Sequence, residues 1–357
     1  MSWALVMTAA ARAAGVSAWS VSSWGRWDTG HYLRIAESGY AFGPCDGVAN
    51  RGPEDFCGSS GWFPLYPYAI RAATWTGLRA DAAGRLLALG ALLTAWVALW
   101  FGFLRRHPMR RAIPAMALAA VFPGCVYYGA IFPVSTVVAA TVIAAVCVDR
   151  QRWVLAGLAA AVAAMAYSSG LLVGAMAVVP LLSRSVGPSW AVRVRAAISV
   201  AAPAAVGYLL VLVNFQRATG HWDAWFKTQA SYDFAPAFPP VTLARQVGHL
   251  GDDVISGWVG LQSLLVAVIV VLAVWIVATS RAMLSLGERA AAIAVGCLWV
   301  FPLLLGGDLS LYRAEALLFP AVILLVRLRP ILIWMLVVPS VVVAYRMAEL
   351  FFEAVLI

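Results

Sequence analysis

The residues best equipped for chemistry lie in one short stretch, Trp27-Asp28-Thr29-Gly30-His31-Tyr32, which runs on into Ile35-Ala36-Glu37-Ser38-Gly39-Tyr40. If residues 27–36 are helical, His31 and Tyr32 stand three and four positions after Asp28 and share its face. A carboxylate on such a face is a candidate general base, able to take the proton of an attacking hydroxyl and contributing typically about 10²–10⁴-fold in rate. The plainer reading makes Asp28 the N-cap of the helix, a position that Asp favours. The stretch follows the first apolar segment, and ionisable groups beside a bilayer are costly unless they have a function.

The rest of the chain supplies the frame. Its 357 residues are 63% hydrophobic and 11% charged, more apolar surface than a soluble domain of this length can cover. The fold class expected is an all-α polytopic membrane protein, a single domain over residues 1–357. Apolar runs long enough to cross about 30 Å of hydrocarbon fall at residues 3–22, 86–104, 112–130, 134–148, 153–168, 170–183, 196–214, 257–279, 290–306, 314–326 and 331–347, about eleven spans. Residues 62–78 have similar hydropathy but carry Pro64, Pro67, Arg71 and several aromatics, and are assigned to a helix lying in the membrane interface. No small-residue cleavage site follows the first apolar run, so that run is expected to be a retained span. No internal repeat suggests a two-fold carrier.

The formal charge of +9 comes from arginines scattered between apolar runs, without the basic stripe that tracks phosphates, so nucleic acid is not an expected partner. The charge instead sorts the loops. Those at 105–111, 149–152, 184–195, 281–289 and 327–329 carry arginine after arginine and only two acids, Asp149 and Glu288, and are expected to be cytoplasmic. The polar material then faces outward in three pieces: a first loop at 22–85, a second at 215–256, and the turn at 306–313. A pocket at the outer membrane face is expected from all three. Lys227 is the only lysine among 25 basic residues, a bias that fits a bacterium with a GC-rich genome and so a plasma membrane, with the site on its extracytoplasmic face.

Cys45 and Cys57 share the first outward loop, where an oxidising compartment would let them pair. A disulfide closing so short a loop contributes about 3 kcal/mol in the chain-entropy model. Two cysteines without a nearby His or third Cys make a poor zinc set, and no carboxylate cluster would hold another metal; neither metal nor cofactor is expected. Cys125, Cys147 and Cys297 lie in apolar runs and read as small hydrophobes.

Trp27-Asp28-x-Gly30-His31-Tyr32 with Ile35-Ala36 and Gly39-Tyr40, then Phe63-Pro64-Leu65-Tyr66-Pro67, then Ser310-Leu311-Tyr312-Arg313 with Phe319-Pro320, resemble the PIG-V-type mannosyltransferases. These are related to the GPI mannosyltransferase that adds the second mannose and belong to the GT-C superfamily of membrane glycosyltransferases. The resemblance follows the chain in order and spacing, and its first block is the most specific. It implies a GT-C-like helix bundle. It also implies inverting transfer of a hexose, by family analogy mannose, from a polyprenyl-phosphate donor to a hydroxyl of a glycolipid or glycan acceptor at the outer face.

In that chemistry Asp28 is the catalytic base. The leaving group is a phosphate monoester, which needs its charge met more than it needs a proton, and the forked donors of arginine suit this. Arg313 is the first candidate for the donor phosphate and sugar, with His31, Tyr32 and Ser310 beside it. The rival for Arg313 is a plain ion pair with Asp308 or Glu315, and His31 is equally readable as a structural hydrogen-bonding group. Trp24, Trp27, Tyr40, Trp62 and Tyr66 are either sugar platforms or an aromatic belt at headgroup level. His221-Trp222-Asp223-x-Trp225 has the look of a carbohydrate contact, with an interfacial anchor as the simpler reading.

Two positions depart from the resembled pattern. Val134 stands where those enzymes tend to have glutamate, and Tyr167 where they tend to have arginine. If that acid and base pair with each other, losing both is a tolerable exchange; if they touch substrate, the acceptor has changed or turnover is lost. The readings from another class are a non-catalytic GT-C-like scaffold subunit and a lipid-linked sugar flippase. A flippase needs ionisable groups lining a path through its spans, and Arg12 is almost alone there.

Overall fold

The computed structural model describes residues 2–45, 55–230, 236–306 and 311–356. Helix α1 covers Ser2–Ala13, a single 3₁₀ turn follows at Val21–Trp24, and α2 covers Thr29–Ser38. A short antiparallel hairpin, β1 (Phe42–Pro44) and β2 (Phe56–Gly58), sets Gly43 opposite Cys57. Then follow α3 (Leu65–Thr74), α4 (Ala80–Gly102), α5 (Met109–Ala120), α6 (Val134–Asp149), α7 (Trp153–Ala166), α8 (Val178–Leu182), α9 (Trp190–Thr219), α10 (Ala224–Ala230) and α11 (Pro239–Gly248). The chain ends with α12 (Val254–Ser280), α13 (Leu286–Leu304), α14 (Leu311–Glu315), α15 (Val322–Leu325) and α16 (Pro330–Phe352). Among the described residues the fold is helical apart from the hairpin.

Five helices, α4, α9, α12, α13 and α16, are long and apolar enough to cross a membrane, and the chain is an integral membrane protein. Large apolar side chains stand open on their outer faces: Leu93 is 59% exposed, Leu209 56%, Val271 63% and Val338 64%. In water such patches invite aggregation; in hydrocarbon they are the solvent-facing surface. Between helices the contacts rely on small residues. A Cβ added at Gly207 of α9 would come within 2.8 Å of the Ala161 carbonyl of α7, the close backbone approach that packs helices in lipid.

The remaining apolar runs are shorter helices or are broken, so about eleven spans were expected where five helices have the length. The run at 3–22 stops being helical at Ala13. Gly15 takes φ +71, and the Val16 N–H reaches back to the Ala11 carbonyl at 2.8 Å, a Schellman termination. The run at 112–130 breaks after Ala120, where Gly124 takes φ +80 and Cys125–Tyr128 form a 3₁₀ turn. The run at 170–183 opens with the 3₁₀ segment Ser168–Ala177, and that at 314–326 contains the 3₁₀ segment Ala316–Ala321 with Pro320 inside. Non-helical backbone at membrane depth persists only where protein covers it, and residues 118–135 are buried throughout.

Four of the five loops rich in arginine converge. Asp149, at the end of α6, accepts from Arg106 Nη1 at 2.5 Å and from the Gly287 N–H at 3.1 Å. Glu288 completes a capping box with Ser285 at the start of α13 and takes Arg327 through two bonds of 2.5 and 2.8 Å. The two acids of the basic loops thus tie together the ends of α4, α6, α13 and α15. The other end of α6 begins at Val134, beside Phe132 and the Asp28 loop. Its 16 residues separate the two ends by about 24 Å.

Residues 65–74 form α3, too short to span at about 15 Å. Its Tyr66 hydroxyl donates to the Gly84 carbonyl of α4 at 2.8 Å, and Arg71 Nη2 donates to the Ile35 carbonyl at the end of α2 at 3.0 Å. Cys45 and Cys57 are joined as a disulfide across the hairpin, with their Cα atoms 5.0 Å apart. The second polar loop covers this region. Ser60 donates to the Ala224 carbonyl of α10 at 3.2 Å, and Thr242 of α11 donates to the Leu303 carbonyl at 2.8 Å.

Candidate functional site

Three segments meet around Asp28: the loop at 24–32, the buried non-helical stretch at 121–133, and α14. The first is pinned from both sides. Arg26 Nη2 donates to the Phe352 carbonyl at the end of α16 at 2.8 Å, Thr29 Oγ1 donates to the Ile131 carbonyl at 3.4 Å, and the Ile131 N–H returns a bond to the Trp24 carbonyl at 3.3 Å. Beneath it the Arg85 guanidinium of α4 lies 3.7 Å from the Trp24 ring centroid and donates to the Gly129 carbonyl. Trp27 has φ +47, a left-handed conformation that costs a bulky residue about 1–3 kcal/mol. It turns the chain so that Asp28 enters α2 with its ring still 41% exposed.

Asp28 occupies the N-cap position of α2, but its side chain makes no capping bond. One oxygen, Oδ2, accepts from Arg313 Nη1; Oδ1 makes no hydrogen bond among the described residues. The pairing removes the plain reading of Asp28 as a cap, and Arg313 is not the partner of Glu315. Glu315, 2% exposed, accepts instead from Gln262 Nε2 at 2.8 Å, and the same nitrogen donates to the Tyr312 carbonyl at 2.9 Å. Gln262 on α12 therefore fixes the turn of α14 that presents Arg313. The rival partner Asp308, and the expected donor contact Ser310, lie outside the described residues.

The pair is partly covered, with side-chain exposures of 10% for Arg313 and 29% for Asp28. The guanidinium carbon lies 6.0 Å from the Phe132 ring centroid. Tyr127, Tyr312 and Tyr167 stand close enough for their hydroxyls to bear on its charge. Burial opposes the charge on Arg313 and the Asp28 carboxylate favours it, with the net effect upward from its ordinary value. Arg313 Nε is buried and without a partner among the described residues.

Tyr32 is buried between the rings of Tyr66, 5.4 Å away, and Phe132, 6.1 Å away. Burial first, then the charge of Asp28, pushes its phenol well above the ordinary value, so Tyr32 stays protonated. His31 stacks on Trp62 with centroids 3.5 Å apart and rings 8° from parallel. Burial is the main cause of a downward shift of its imidazole from 6.5, the nearby Asp28 only partly offsetting it. Burial thus favours the neutral ring over a cation that would meet a phosphate by charge.

The aromatics divide. Trp27 remains open beside Asp28, whereas Trp62 is half-buried with one ring face covered by His31. Tyr66 does not face sugar or headgroups: it is 2% exposed and bonded to α4. Tyr40 is likewise structural, its hydroxyl donating to the Trp62 carbonyl at 2.8 Å. The 215–256 loop, expected to help build the pocket, makes no hydrogen bond or ring contact with Asp28 or Arg313 among the described residues. Its His221 packs on Phe42 at 5.3 Å and Trp225 on Phe63 at 6.2 Å, covering the hairpin. Tyr127 and Phe132 were not foreseen in the site; the Pro123-Gly124 pair inside an apolar run was the available turn signal. Of the two departures, Val134 is buried at the start of α6, whereas Tyr167, at the end of α7, lies close to both Asp28 and Arg313. Set against family models, curated proteins and solved structures, the chain matches none of them.

Proposed function

We propose that the chain is a membrane glycosyltransferase that moves a hexose, by resemblance mannose, from a polyprenyl-phosphate donor to the hydroxyl of a glycolipid or glycan acceptor, with inversion. The observation that carries this reading is the Asp28 carboxylate. It sits at a helix start without capping it, keeps one oxygen unpartnered among the described residues, and has a buried guanidinium on the other. In the reaction the acceptor oxygen attacks the anomeric carbon, its proton passes to Asp28, and the bond from that carbon to the phosphate oxygen breaks with its electron pair on the phosphate. The phosphate competes with Asp28 for Arg313, which frees the carboxylate as the donor arrives. Trp27 offers a flat apolar face to the sugar, and Tyr167 supplies an uncharged hydroxyl where the resembled enzymes have arginine. The basic loops support the side: with these in the cytoplasm, Asp28 works at the extracytoplasmic face of a bacterial plasma membrane.

A second reading has an observation of its own. Asp28 and Arg313 partner each other, which is what a structural ion pair in a non-catalytic scaffold subunit would do. A flippase is less well supported, because the in-helix cation Arg85 is engaged by Gly129 and Trp24 and Arg12 is exposed, so neither lines a path. Purified protein incubated with radiolabelled polyprenyl-phosphate mannose and a crude lipid extract separates the readings. The transferase moves label into a new product and releases polyprenyl phosphate; a scaffold or a flippase leaves the donor intact.

A further inference from the structure

Away from Asp28, helices α1, α12 and α16 leave a groove of about 520 Å³ along their outer surface. Its floor and walls are Leu5, Val6 and Ala9 of α1 with Val341 and Val342 of α16, and Trp258 of α12 and Arg346 of α16 also line it. The Arg346 guanidinium carbon lies 5.5 Å from the Trp258 ring centroid. Trp258 is four residues after the start of α12 and Arg346 six residues before the end of α16. At 1.5 Å per residue both lie within about 9 Å of one membrane boundary, with the apolar part of the groove deeper. This is the depth at which aromatic and cationic side chains meet headgroups.

The charges are ordered along the helix. Arg346 Nη1 holds Glu349 at 2.5 Å, one turn nearer the boundary, while the other guanidinium N–H groups meet no acceptor among the described residues and the side chain is 42% exposed. A cation below an anion, above an apolar groove, matches a headgroup whose phosphate is next to the acyl chains and whose ammonium is outermost. We propose that this groove binds a zwitterionic glycerophospholipid of the phosphatidylethanolamine class, one acyl chain in the groove, the phosphate on Arg346 and the ammonium on Glu349. Glu349 disfavours headgroups of net negative charge, so neither phosphatidylglycerol nor a polyprenyl monophosphate is the occupant. The site is independent of the Asp28 chemistry.

Native mass spectrometry of the full chain in detergent, with phosphatidylethanolamine, phosphatidylglycerol and polyprenyl phosphate added separately, tests this. The wild type should retain phosphatidylethanolamine over the other two. Arg346→Ala should lower that retention about fivefold, the effect of one interfacial cation. Ala9→Phe, which fills the groove from an exposed position of α1, should lower it as well, and it carries the test if Arg346→Ala does not fold. Glu349→Gln should shift preference towards phosphatidylglycerol. Equal retention of all three lipids, preference for an anionic one in the wild type, or undiminished phosphatidylethanolamine binding in Ala9→Phe overturns the proposal.

Discussion

Asp28 and Arg313 are 285 positions apart in sequence, and their meeting is the residue-scale fact on which the site rests. Both were recognisable as types: a carboxylate among aromatics and an arginine in a polar turn. Their contact was not, because nothing local in either segment encodes a partner so far away. Aromatic side chains were the least legible, since an aromatic reads alike in sequence whether its ring is buried, as that of Tyr66 is, or open, as that of Trp27 is. The left-handed Trp27 gives a residue-scale prediction. Trp27→Gly relieves its backbone and should leave the unfolding temperature unchanged or higher, while sugar transfer falls with the loss of the ring. An equal fall in both would make Trp27 merely structural. His31 gives another. Its pKa is lowered from 6.5 by burial, so below that value the unfolded chain takes up the proton first and stability declines as pH falls. Its contribution is complete above pH 6.5. His31→Phe should flatten that part of the slope in unfolding temperature against pH, and an unchanged slope would place the titration elsewhere.

At the scale of elements, hydropathy located the apolar material but not its backbone. A transmembrane helix and a buried 3₁₀ stretch are equally apolar, so hydropathy alone did not show that the runs at 112–130 and 314–326 are broken. The physical signals of breakage were single residues, Pro123-Gly124 in one and Pro320 in the other, against long windows of uniform hydrophobicity. The break at Gly124 matters because it brings the 121–133 segment against α14. A Cβ there would stand 2.8 Å from Ala316 Cβ and 3.2 Å from the Tyr312 carbonyl, at a φ of +80. Gly124→Ala should therefore cost about 2 kcal/mol or more in stability by overpacking and backbone strain and should loosen the Arg313 turn. Gly296→Ala in α13, with nothing within 4 Å of its Cβ, is the neutral control. Thermal unfolding of both variants in detergent checks the contrast.

For the whole molecule, the charge pattern gives an expected sidedness that rests on many loops rather than on any single helix. Four of the five arginine-rich loops meet, through Asp149 and Glu288, at the end of α6 opposite to Asp28. With the free cysteines Cys125, Cys147 and Cys297 replaced, a membrane-impermeant thiol reagent added to intact cells should label Ser38→Cys but not Arg152→Cys; the reverse pattern would turn the site to the cytoplasm. The account's central claim, that the Asp28 carboxylate accepts the acceptor's proton, meets its most direct test in Asp28→Asn. The amide keeps an oxygen for Arg313, so the protein should still fold, with a lower unfolding temperature because the buried guanidinium loses its counter-charge, while transfer from polyprenyl-phosphate mannose falls by about 10²–10⁴-fold. Full transfer by a normally folded Asp28→Asn protein would contradict the account.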